Sequence, residues 1–188
     1  MALNLRRDRW TIVLIAVIVV MGLEIIYLVY QNQQLKAIMK DPKRYFKTLS
    51  ADDQVPAITA LDVNGDEISL RYSPTAPQTL LFWFAPTCSS CEDNIGFWNR
   101  LYAADSTKNT RYVGMCISQA TEARAFIAEH EIKFPVISTD DRHLIESYQG
   151  NVLPQTVLIS PEGTIVDVWP GAIDQVREEE IIALLAGL

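Results

Sequence analysis

Twenty-one consecutive residues, Trp10 to Tyr30, carry a single charge, at Glu24. As a helix they reach about 31 Å at 1.5 Å per residue, the thickness of a bilayer's hydrocarbon core. Trp10 at one end and Tyr27 and Tyr30 at the other are placed for the two interfaces. A cleaved leader would have a shorter apolar run, with small residues at a cleavage site after it, so an uncleaved membrane anchor is expected. Residues 1–9 then form a short N-terminal arm, 10–30 the transmembrane helix, 31–54 a stalk and linker, and 55–188 a globular domain.

The charges flanking the span pull in two directions. Arg6, Arg7 and Arg9 precede it directly, whereas Lys36, Lys40, Lys43, Arg44 and Lys47 follow within 20 residues. The nearer arginines and the uncharged stretch Gln31–Leu35 favour a cytoplasmic N-terminus, with the domain facing the periplasm or another extracytoplasmic space. Glu24 lies about 21 Å along the helix from Trp10, where it can snorkel to the far interface or meet a partner helix.

The formal net charge is −7. Residues 1–40 hold five of the 16 basic and two of the 23 acidic residues, which leaves 11 basic and 21 acidic in the remainder. A domain this acidic would approach nucleic acid against its own field, so nucleic acid is excluded as a partner.

Beyond the span, Leu35, Ile38 and Met39 can continue the helix, and Asp41-Pro42 reads as the start of a short helix through Phe46. Ser50–Gln54 reads as linker. Ala57–Val63 and Glu67–Leu70 flank Asn64-Gly65, a hairpin signal. Thr79–Phe84 is wholly apolar after its first residue, as in a strand covered on both faces. A helix is expected from near Cys88, with Ile95, Trp98, Leu101 and Tyr102 on one side. Then follow a strand over Arg111–Ser118, a helix over Ala120–His130, a strand over Phe134–Ile137 and a helix over Asp141–Tyr148. A hairpin of Gln155–Ser160 and Thr164–Trp169 comes next, and a helix over Val176–Leu185 stops at Gly187. Alternating strands and helices that end in a hairpin predict an α/β, three-layer fold with a mixed sheet.

The chemistry concentrates in Phe84-Ala85-Pro86-Thr87-Cys88-Ser89-Ser90-Cys91, directly after the buried strand and at the opening of a helix. Free N–H groups and the positive end of the helix dipole favour a thiolate at Cys88. Two intervening residues bring Cys91 within bonding reach one turn later. Zinc would need further ligands, and Cys116, His130 and His143 show no ligand spacing. A purely structural bridge over so small a loop would add little stability. Cys116, inside an apolar strand, reads as a core thiol.

These residues resemble the thioredoxin superfamily, and within it the membrane-anchored TlpA-like and ResA-like thiol–disulfide oxidoreductases, with the MauD-like proteins close by. Val55-Pro56 through Asn64-Gly65 to Leu70 is similar to that branch's N-terminal hairpin. LLFWFAPTCSSC is similar to its catalytic strand and loop, and Leu153-Pro154-Gln155-Thr156-Val157-Leu158-Ile159 with Pro161-Glu162-Gly163 to its second signature. The resemblance implies a thioredoxin-like fold, with Cys88 as attacking thiol and Cys91 as resolving thiol. It also implies a cis-proline at Pro154 facing them, and substrate contacts from Leu153 and Thr87. No cofactor and no metal is implied. Protein thiols and disulfides would be the substrates, a DsbD/CcdA-like membrane protein the electron donor, and an apocytochrome c or metalloprotein precursor a target. A peroxidase of the peroxiredoxin pattern would carry threonine where Ala85 stands. The sequence departs from its relatives at two positions. Phe82 replaces the buried acid of thioredoxin, and Asn94 the glutamate of ResA-like proteins. These losses leave a second expectation standing, that of a non-catalytic accessory subunit of a membrane complex.

Overall fold

The computed structural model describes residues 5–40, 49–105 and 109–187, and the chain divides into two units at residues 45–46. The first is helix α1, Leu5–Lys40, which runs unbroken for 36 residues. Its stretch Trp10–Gln34 is long and apolar enough to cross a membrane, and none of it is buried within the protein. Apolar side chains lie exposed on every side of it, the pattern of a helix whose solvent is lipid. The expected helix start at Asp41-Pro42 lies outside the described residues.

The second unit contains β1 (Ile58–Leu61), β2 (Glu67–Leu70), β3 (Gln78–Phe84), α2 (Ser89–Ala104), β4 (Thr110–Ile117) and α3 (Ala120–Glu129). It continues with β5 (Val136–Thr139), α4 (Arg142–Ser147), β6 (Gln155–Ile159), β7 (Ile165–Pro170) and α5 (Gln175–Gly187). β1 and β2 form a separate antiparallel hairpin. Its turn is fastened by the Asp62 carboxylate, which accepts from the backbone N–H groups of Asn64 and Asp66. The main sheet has the order β5-β4-β3-β6-β7. β3, β4 and β5 run parallel, and β6 and β7 are antiparallel to their neighbours. This is the thioredoxin-like α/β fold.

β3 is buried at all seven positions, because the sheet is covered on both faces. Leu80, Phe82 and Phe84 enter one core with Cys91, Ile95 and Trp98 of α2 and with Phe126 of α3. Leu81 and Trp83 enter a second core with Val157, Ile145 and Tyr148. The period-2 alternation of β3 thus feeds two cores from one apolar run. Phe82 stacks on Trp98 at 4.8 Å between ring centroids, and the Trp98 indole N–H donates to Thr156 Oγ1 at 3.0 Å. These contacts fix α2 over β3 and β6.

Three expectations need correction. Ser50–Gln54 is not a free linker. Asp52 N donates to Ile165 O at 3.0 Å, Ile165 N to Asp53 O at 2.8 Å, and Gln54 bridges to Thr164. Its polar side chains do not prevent its backbone from pairing with residues 163–165 at the start of β7. β5 begins at Val136, two residues later than expected. Proline has no N–H for the ladder, and Phe134 before it plugs the core against Phe82 at 4.9 Å. α5 includes Gly187 instead of stopping before it, a difference within the fraying of helix ends.

Gly114 of β4 lies where the strand crosses under these rings. A Cβ there would sit 2.9 Å from both Phe84 and Phe134, and neither buried ring has space to retreat. Gly114→Ala is expected to destabilise the domain by about 1–3 kcal/mol through overpacking. Chemical denaturation of the full chain would measure it, and an unchanged midpoint would contradict this account of the core.

Candidate functional site

β3 ends at Phe84 and the chain turns through Ala85, Pro86 and Thr87 onto α2. Cys88 is the N-cap residue, with φ −105° and ψ 93° outside the helical region, and its side chain caps nothing. Its sulfur is therefore not engaged in capping the helix. Cys88 N donates to Ala85 O and Cys91 N to Cys88 O, both at 3.0 Å, so one helical turn sets the Cα–Cα separation at 5.4 Å. Cys88 and Cys91 form a disulfide. Cys88 is half-buried and Cys91 fully buried. Thr87, Ser89 and Ser90 are exposed around them.

Ser90 is a participant that the sequence motif alone did not single out. Its Oγ lies 3.6 Å from Cys88 Sγ. Once the disulfide is reduced, that hydroxyl can donate to a Cys88 thiolate and add to the favourable field of the helix start. Cys91 belongs to the buried core cluster that also holds Phe82, Phe84, Ile95 and Trp98. Phe82, in the place where thioredoxin has its acid, is itself part of the ring cluster. Glu92 and Asp93 follow Cys91 but are exposed.

Asn94 proves not to be an empty position. It is fully buried. Its Nδ2 donates to Gly171 O at 3.2 Å and its Oδ1 accepts from Ile173 N at 2.8 Å. An ionised carboxylate here could accept from Ile173 but would turn a second acceptor toward the Gly171 carbonyl. A glutamate at this position would therefore cost a buried hydrogen bond before it could serve as a base.

Leu153–Pro154 is a cis peptide bond. The β3–β6 ladder pairs Trp83 with Gln155, so its next step sets Pro154 beside Phe84, where β3 opens into the cysteine loop. Pro154 is buried, Leu153 is half-buried, and Pro154 O accepts from Gly171 N at 2.7 Å. Cys116 is buried near the C-terminal end of β4, in register with Phe84, with Sγ 3.2 Å from Ser118 Oγ. Burial pushes its thiol pKa up, which keeps it a thiol at neutral pH.

A disulfide-bonded C-x-x-C pair at the start of a helix, over a mixed five-stranded sheet, defines a thioredoxin-fold thiol–disulfide protein. Comparison with known proteins agrees. The AhpC/TSA family model matches residues 51–168. The thiol–disulfide oxidoreductase ResA of Bacillus subtilis is 25% identical over 130 residues, covering 69% of this chain and 72% of that protein. ResA of Oceanobacillus iheyensis is 27% identical over 145 residues, covering 75% and 74%. Among solved structures, a thiol:disulfide interchange protein DsbE from Chlorobium tepidum superposes with a TM-score of 0.65 at 20% identity, covering 74% of this chain and 98% of that one. StoA from Bacillus subtilis gives 0.60 at 16% identity, covering 69% and 96%. The chain belongs to the AhpC/TSA family and is a thiol–disulfide oxidoreductase similar to ResA.

The Ser90 contact is testable. In a Cys91→Ser background, Ser90→Ala should slow alkylation of Cys88 by iodoacetamide at pH 7 by about two- to fivefold, since a hydrogen bond to an exposed charged sulfur is worth little more. Equal rates in both variants would show that the hydroxyl does not support the thiolate.

Proposed function

We propose that this chain is a membrane-anchored oxidoreductase that exchanges protein disulfides on the extracytoplasmic side. The carrying observation is the asymmetry of the Cys88–Cys91 pair, with one sulfur half-exposed at a helix start and the other sealed in the core. The exposed thiolate attacks a sulfur of the target disulfide. That S–S bond breaks, a mixed disulfide forms on Cys88, and the departing target sulfur takes a proton. Cys91 then gives up its own proton and attacks Cys88 Sγ, which releases the second target thiol and leaves the Cys88–Cys91 disulfide. Two electrons pass to the target, and a dithiol donor restores the pair. The reverse sequence oxidises a target dithiol, and the direction follows the relative potentials.

Supporting the site roles, Leu153 and Pro154 stand at the end of β3 beside the cysteine loop. We assign them, with Thr87, to the surface on which the target segment lies. Trp10–Tyr30 would span the membrane, with the arginines of residues 1–9 on the cytoplasmic side. The stalk would carry the domain into the compartment where disulfides persist. A membrane electron carrier of DsbD/CcdA type would then be the donor, and an apocytochrome c or metalloprotein precursor the target.

Cys91→Ser in native membranes should accumulate mixed disulfides at Cys88 that vanish in the Cys88→Ser/Cys91→Ser double variant. A membrane-impermeant maleimide should label reduced Cys88 in intact cells. Labelling only after lysis would refute the topology. A Cys91→Ser chain that traps no protein would refute catalysis and favour the accessory-subunit reading.

A further inference from the structure

Residues 170–173 link the end of β7 to α5, and hydrogen bonds hold them from three directions. Gly171 adopts φ +87°, a left-handed conformation that a side chain would oppose. Its N–H meets Pro154 O at 2.7 Å, and its carbonyl meets Asn94 Nδ2 at 3.2 Å. Two residues on, Ile173 N donates to Asn94 Oδ1 at 2.8 Å. On α5, Arg177 Nη1 donates to Pro170 O at 3.0 Å and to Ala172 O at 3.1 Å. Asn94 stands three residues after Cys91 on α2, so the two side chains share a helix face. The segment therefore touches both halves of the site, the helix that carries the disulfide and the turn that carries Pro154.

An apolar residue would fill the Asn94 position without the desolvation cost of an amide. A buried amide offsets that cost only when its donor and its acceptor are both engaged, and a fully engaged one admits few alternative arrangements of its partners. Asn94 engages both groups on this single segment.

We propose that Asn94 is a positioning residue for disulfide exchange: by gripping Gly171 and Ile173, it sets the spacing between the Cys88–Cys91 helix and the Leu153–Pro154 turn. That spacing decides whether a protein segment lying on the turn presents its sulfur to Cys88. Arg177 steadies the same strap from α5. The proposal rests on the reading of Cys88 and Cys91 as the exchanging pair.

Two substrates separate positioning from plain stability. A disulfide-bonded peptide must lie across the turn, whereas 5,5′-dithiobis(2-nitrobenzoate) need reach only Cys88. With the full-length, detergent-solubilised and reduced chain, Asn94→Ala should raise KM for the peptide roughly tenfold, the scale expected for sub-ångström misplacement of reacting groups. Its rate with the small disulfide should stay within about twofold of the wild type, because the helix start is untouched. Arg177→Ala should show the same split to a smaller degree, and it decides the matter alone if Asn94→Ala does not fold. Equal losses on both substrates, or an unchanged peptide KM in the folded variants, would overturn the positioning role. A wild-type chain no more active on the peptide than Cys88→Ser would instead overturn the exchange reading, and the positioning role with it.

Discussion

The site depends on one constraint, the burial of β3 on both faces. A strand whose seven residues all face core can be neither an edge nor a surface strand, so it must lie at the centre of the sheet. Its chain can regain solvent only where its cover ends. That point comes just after Phe84, at Pro86 and Thr87, and the next helix is capped by Cys88. The same apolar pressure that fixes β3 thus delivers the cysteines to the rim of the sheet, on the first turn of a helix that Phe82 and Trp98 hold down. Gly114 extends the constraint to β4, since the rings that crowd it belong to Phe84 and Phe134.

Filling this core with rings has a chemical consequence. Phe82 stands where, by the resemblance, thioredoxin keeps an acid, and it stacks on Trp98 in the same core cluster as Cys91. Asn94, in the other acid position, is committed to backbone groups 77 and 79 residues away in sequence. The chain therefore favours a fixed geometry over a buried base. In the proposed exchange the attacking sulfur, Cys88, would be served by Ser90 and the helix start, while the resolving sulfur, Cys91, would act from full burial.

Much of this could be read along the chain, because the signals were local. The apolar run of β3, the turn residues Asn64-Gly65, the helical recurrence of Ile95, Trp98 and Leu101, and the spacing of Cys88 and Cys91 each lie within a few residues of what they specify. The second signature around Pro154 was legible only through resemblance, since no periodicity marks a turn that matters for what lies opposite it. What escaped was of two kinds. Ser50–Gln54 looks like linker because polarity speaks for side chains, whereas here the backbone pairs with Thr164 and Ile165 at the start of β7. Asn94 reads as a loss because the sequence shows the acid that is missing and not the two hydrogen bonds that its amide makes instead.

The three cysteines show how little residue type decides. Cys91 and Cys116 are both fully buried and belong to the same core cluster, and burial disfavours a thiolate at either. Cys116 sits inside β4 near its C-terminal end, paired in register with Phe84, with the Ser118 hydroxyl 3.2 Å from its sulfur, and it remains a thiol. Cys91 lies one helical turn from the half-buried Cys88, so in the proposed exchange its chemistry would run through Cys88 and would not require solvent to reach it. On that reading, position on the helix, and not accessibility of the atom itself, separates a resolving cysteine from a packing one. The same reasoning gives the strap at residues 170–173 its weight. If a buried sulfur acts only through its neighbour, whatever fixes the helix that carries both relative to the Pro154 turn fixes the reaction.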